Sequence, residues 1–276
     1  MDDLDDALRR LVAAYPKDNL RYGPADLLEF EGDPAWVFDL ISTDDRVRGR
    51  ALARHQALLE AAREANHWIN RVWAQAGTPA PEAPHLAAEM EQARAAHRHY
   101  VGQTIFELLG GCYDTDQTVR ERHARYALLY LVWERRYPAE WRMRESNAWS
   151  PWPRKEGLLM EMAEKGIPAS ILPQMADLLP DVVAHPYRCK DWLYAPLARQ
   201  LRGGRFDERM RDLLVAADPM VRSRAQFVLH VADTPTLTVK RHTFDRWLTD
   251  KGMSRATGCG DSQRDDPADG GAGPRR

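Results

Sequence analysis

Between Arg120 and Lys155, nine Lys and Arg residues stand against four Glu, a balance of +5. The same stretch carries Tyr126, Tyr130, Trp133, Tyr137, Trp141, Trp149 and Trp152. Guanidinium forks bind carboxylates or phosphates, and Trp and Tyr faces anchor a protein partner or stack on bases. Trp141, Arg142, Arg144, Trp149, Trp152 and Arg154 are therefore the candidate contacts to a protein or peptide partner. Tyr126, Tyr130, Trp133 and Tyr137 recur at helical spacing and are expected in a core, with the arginines on the opposite, solvated face. The first 45 residues hold twelve acidic and four basic residues, so they offer an intramolecular or intersubunit match for the basic segment.

The histidines invite a metal reading. Glu64 and His67 have the E-x-x-H spacing of helical-bundle metal sites, and His67 falls level with His97 in an antiparallel hairpin turning near residue 82. A bundle site also needs further inward carboxylates and a second E-x-x-H, which the sequence lacks, so no metal and no cofactor is assigned. Walker, G-x-G-x-x-G, G-x-S-x-G and H-E-x-x-H motifs are absent as well. Cys112, Cys189 and Cys259 are far apart and odd in number, which suits a reducing, cytoplasmic compartment.

These residues must be carried by helices. At 276 residues, 44% hydrophobic and 29% charged, the composition is that of a soluble globular chain. No stretch alternates with period two, and no apolar run approaches the ~20 residues that cross a bilayer. Leu4, Leu8, Leu11 and Val12 predict an amphipathic helix over 3–15, followed by short pieces at Pro24–Phe30 and Pro34–Ile41. Ala51, His55, Leu58, Ala62, Ala65, Ile69, Val72 and Ala76 alternate in steps of four and three, the seam of a helix running from Asp44 to Ala76. A second run from His85 to Leu109 makes this a long antiparallel hairpin, ended by Gly110 and Gly111. A third helix covers Thr118 to Tyr137, and Ser150-Pro-Trp-Pro153 breaks the chain in two. Six shorter helices are expected at 155–164, 170–179, 190–201, 207–216, 221–231 and 239–248. The Gly-rich segment 252–276, with no Leu, Ile, Val or aromatic residue, is expected to be disordered.

Three of the helix starts share a spelling, D-x-x-V-R-x-R: Asp44 to Arg50, Asp116 to Arg122 and Asp218 to Arg224. The Asp suits an N-cap, the Val opens an apolar face, and the Arg that follows is expected to bridge to the Asp or to a carbonyl of the adjacent repeat. The pattern resembles HEAT repeats, most clearly at Ala217–Ala225 with the preceding helix Phe206–Val215. That resemblance implies antiparallel helix pairs stacked into an α-solenoid. The three Val lie 72 and 102 residues apart rather than one period of about 40–47.

Arg224-Ala225 also resembles the HEAT-like alkylpurine DNA glycosylases, which place an essential Arg two residues beyond the V-R position. The family further needs an Asp one turn after a Trp. Here Trp192 is followed four residues later by Pro196, and Asp191 precedes it. The resemblance implies Trp192, Arg222 and Arg224 as contacts to duplex DNA. The expectation is thus an all-α chain: an N-terminal helical region over 1–150 with the long hairpin, a HEAT-like stack over 151–251, and a tail. Its expected role is a non-enzymatic scaffold for a protein or peptide, with DNA binding as the alternative.

Overall fold

The computed structural model describes residues 34–141 and 150–250. The expected helix over 3–15, the piece at Pro24–Phe30, three candidate contacts (Arg142, Arg144 and Trp149) and the tail 252–276 lie outside the described residues. Among those described, every regular element is helical and none is a strand, so the chain is all-α.

The hairpin forms as its periodicity requires. Helix α1 spans Asp45–Ala76 and ends at Gly77, whose φ of 69° is the left-handed conformation glycine adopts without Cβ strain. Helix α2 (Pro84–Gly102) returns alongside it, and Trp68 Nε1 donates to Glu89 Oε1 at 2.8 Å across the pair. The second run stops seven residues earlier than its apolar pattern suggests. Thr104 is the cause: its hydroxyl and its amide both donate to Val101 O, at 2.8 and 2.9 Å, and turn the chain into the one-turn helix α3 (Ile105–Leu108).

Helix α4, Gln117–Arg136, is the axis of the molecule. Every residue from His123 to Glu134 is buried. A helix covered on all faces must be surrounded by others. The 3-10 segments Pro34–Ile41 and Pro138–Trp141, helix α3 and helices α5 (Pro151–Lys165) and α6 (Leu172–Ala184) all pack on it. Pro151 and Pro153, read as a break, instead open the first turn of α5, where a missing amide costs nothing.

The C-terminal helices continue as short neighbours: α7 (Ala198–Leu201), α8 (Gly204–Leu214), α9 (Pro219–Asp233) and α10 (Arg241–Asp250). Helix α9 is central here, touching α6, α7, α8, α10 and the 3-10 turn Asp191–Leu197. One hydrophobic core runs from Val37 to Leu248 and crosses residue 150 without interruption. Ala62, Ala65, Val72, Met90 and Ala93, buried in the outer half of the hairpin, stand apart from that core. The hairpin is therefore rooted in the body at Ala51 and Leu59 and projects from it as an arm.

The three D-x-x-V-R-x-R starts adopt one local structure. Asp44, Asp116 and Asp218 each cap a helix, accepting from the amides of Arg46, Thr118 and Met220 at 2.8, 2.7 and 2.7 Å. The Arg after Val does not reach a neighbouring repeat, as expected, but folds back. Arg120 donates to the carbonyls of Asp114 and Thr115, and Arg222 to those of Ala216 and Ala217. Arg48 does the same to Ser42 O and also reaches Glu140 Oε1 at 3.1 Å. Turn and first helical turn form one closed unit, because a guanidinium four residues past the cap lies beside the carbonyls just before it.

Candidate functional site

A grouping of four ionisable residues lies inside the body, where α4, α5 and the turn Asp191–Leu197 meet. Lys155 is fully buried. Its ammonium lies 3.0 Å from Glu134 Oε2 and is bonded to Asp191 Oδ1. Arg188 completes the set: its guanidinium lies 3.1 Å from Glu134 Oε1, and its backbone amide donates to Asp191 Oδ2 at 2.6 Å. Lys155 also sits over the rings of Trp152 and Tyr194, at 5.6 and 5.5 Å.

This arrangement fixes what the groups can do. Burial disfavours the charge on Lys155, but Asp191 and Glu134 more than offset it and hold the pKa above the ordinary lysine value. The amine stays an ammonium and is no nucleophile. Glu134 is held by Lys155 and Arg188, and Asp191 by Lys155 and the Arg188 amide, so both carboxylates are engaged within the protein. The cluster is a brace linking three elements.

Beside it runs a file of aromatic rings. His55 from α1 packs edge-on against Phe106 and Trp133, with centroids at 5.5 and 5.4 Å. Trp133 and Tyr130 meet Trp141 at 5.7 and 4.5 Å, and Trp141 meets Trp152 at 5.3 Å. Burial alone pushes the His55 pKa down to about 4, so the imidazole is neutral.

Against this geometry the candidate residues sort themselves. Trp141 is only 2% exposed and belongs to the aromatic file, not to an open surface. Trp152 is half-buried between Trp141 and Lys155. Arg154 is half-buried, with its guanidinium 4.7 Å over the Phe106 ring. Tyr126, Tyr130 and Trp133 are core, as their spacing requires, and half-buried Tyr137 lies under Arg48 at 4.0 Å.

The residues of the DNA alternative are also enclosed. Trp192 is buried and lies beneath Lys190. Arg224 is 4% exposed, donates through Nε to Val183 O at 2.8 Å, and lies 5.5 Å over the Tyr187 ring. Burial lowers its pKa, against the opposing pull of Tyr187, Asp218 and Asp191. The fold thus brings Asp191 close enough to Arg224 to act on it electrostatically, although Lys155 already holds that carboxylate. Among the described residues no three His, Cys, Asp or Glu side chains gather in a metal-binding group.

One surface feature had no signal in the composition of any short stretch. Trp73, near the free end of α1, is 48% exposed. It lies two heptads beyond Leu59, itself one heptad beyond Leu52, and those two leucines pack against the body. The stripe passes the exposed Asn66 and ends, beyond the body, in an uncovered indole.

No protein-family model, curated protein or solved structure matches the chain. No helix among the described residues is long and apolar enough to cross a membrane.

Proposed function

We propose that the chain is a non-enzymatic helical scaffold, HEAT-like in its helix starts, that binds a protein or peptide partner through the projecting hairpin. The observation that carries this reading is Trp73. A tryptophan exposed on an arm outside the main core is the kind of rigid apolar anchor that dominates interface energetics. The interior charges support the same reading, since Lys155, Glu134, Asp191 and Arg188 pair with and neutralise one another.

Site-specific photo-cross-linking from position 73 in the native cell tests it. A discrete heterologous adduct is expected from position 73 and none from the same cross-linker at position 71, which faces the other side of α1. Absence of any heterologous adduct overturns the reading.

The duplex-DNA alternative is disfavoured by Arg222, whose Nη1 donates to Ala216 O and Ala217 O, and by Arg224, which is 4% exposed and bonded through Nε to Val183 O. A phosphate contact would require breaking those bonds. A labelled duplex should show no binding at low salt. Salt-sensitive binding that is lost in Arg222→Ala would restore that reading.

A further inference from the structure

Arg224, on α9, is 4% exposed, and among the described residues no carboxylate lies within ion-pair distance of it. Its Nε donates to Val183 O at 2.8 Å, while Nη2 is buried with no hydrogen-bond partner among the described residues. Asp218 and Asp191 attract it from farther off, but each is engaged elsewhere. Asp218 caps α9 through the Met220 amide, and Asp191 is held by Lys155 and the Arg188 amide. A buried charge is ordinarily paired, because the low-dielectric interior penalises a lone ion heavily.

The neighbouring brace does not absorb the surplus. Lys155, Arg188 and Arg224 bring three positive charges to this part of the interior, and Glu134 and Asp191 bring two negative ones, so one cation is left over. Tyr187 supplies a second contact point. Its ring lies 5.5 Å from the Arg224 guanidinium carbon, and its hydroxyl is buried with no partner among the described residues. Burial pushes the phenol pKa up, so it keeps a proton to donate. The residue is half-buried and sits in the irregular stretch between α6 and the turn Asp191–Leu197, so its ring is a partial cover over Arg224.

The matching ligand carries one negative charge on two adjacent oxygens. With Nε bound to Val183, the end of the guanidinium left to a ligand is the Nη1–Nη2 edge, which a carboxylate meets with two parallel bonds. A phosphate dianion would overshoot, leaving this interior negative beside Asp191. We propose that Arg224 and Tyr187 form a binding site for a small organic monocarboxylate, whose oxygens pair with the Nη1–Nη2 edge and accept from the Tyr187 hydroxyl. The site lies in the body and stands independently of the Trp73 reading.

The test titrates the full chain with 13C-labelled acetate by NMR, and in parallel with inorganic phosphate, with chloride holding the ionic strength constant. Acetate should bind saturably and more tightly than phosphate. Arg224→Gln and Tyr187→Phe should each weaken it by about tenfold or more, since each removes a bond to a charged group. Tyr187→Phe keeps the ring and the packing, so it remains informative if Arg224→Gln fails to fold, and circular dichroism checks both. No saturable acetate binding, phosphate binding as tight as acetate, or an affinity unchanged in either folded variant overturns the proposal.

Discussion

The Lys155 ammonium stands 3.0 Å from Glu134 Oε2 with no access to solvent, and Asp191 completes its coordination from a third element. Removing the cation strands two buried carboxylates. Lys155→Met should therefore destabilise the protein by about 3–5 kcal/mol, read from urea midpoints. The triple variant Lys155→Met, Glu134→Gln, Asp191→Asn removes the charges together and should recover much of that loss. An unchanged midpoint in Lys155→Met would show that the brace carries no load.

His55 predicts how stability responds to acid. Its folded pKa of about 4 lies below the unfolded value near 6.5, so the unfolded chain binds the extra proton. The stabilisation is complete above about pH 6.5 and is lost as pH falls towards 4, by about 3 kcal/mol in all. Chemical denaturation of the wild type and of His55→Phe across that range should show the slope reduced in the variant.

Gly111 is held against the imidazole of His123, so closely that a Cβ would collide with the ring. That ring nitrogen is in turn 2.8 Å from Leu108 O. Gly111→Ala should cost about 1–3 kcal/mol by overpacking. Gly110→Ala, whose Cβ would meet open space, should be nearly silent in the same thermal melts.

The aspartate caps permit a graded comparison. Asp116→Ala and Asp218→Ala should each cost about 1 kcal/mol. Removing the returning guanidinium in Arg120→Ala should cost a further, smaller amount, because the carbonyls of Asp114 and Thr115 can turn to water. Denaturant titration of the single and double variants at Asp116 and Arg120 would measure their coupling.

Local chemistry was legible in the sequence where one residue governs one turn. The three Asp caps, the 51–76 seam and the core placement of Tyr126, Tyr130 and Trp133 follow from residue type and spacing alone. What was hidden depends on which elements meet. Nothing local joins Lys155 to Asp191, 36 residues on, or threads Trp141 between Tyr130 and Trp152. The basic, aromatic stretch looked like a surface because composition does not record that α4 is enclosed on every side. Trp73 was passed over because it lies next to the 51–76 seam rather than in it, and only the position of the body shows that nothing covers it.

The enclosure of α4 also bears on how the polypeptide can be divided. One wall of its sheath comes from before Trp141 and the other from after Ser150. Two gene fragments split between those positions would each leave a greasy trough that only the other fills. Expressed together they should find one another without a peptide link, which makes that junction a ready-made site for a complementation reporter.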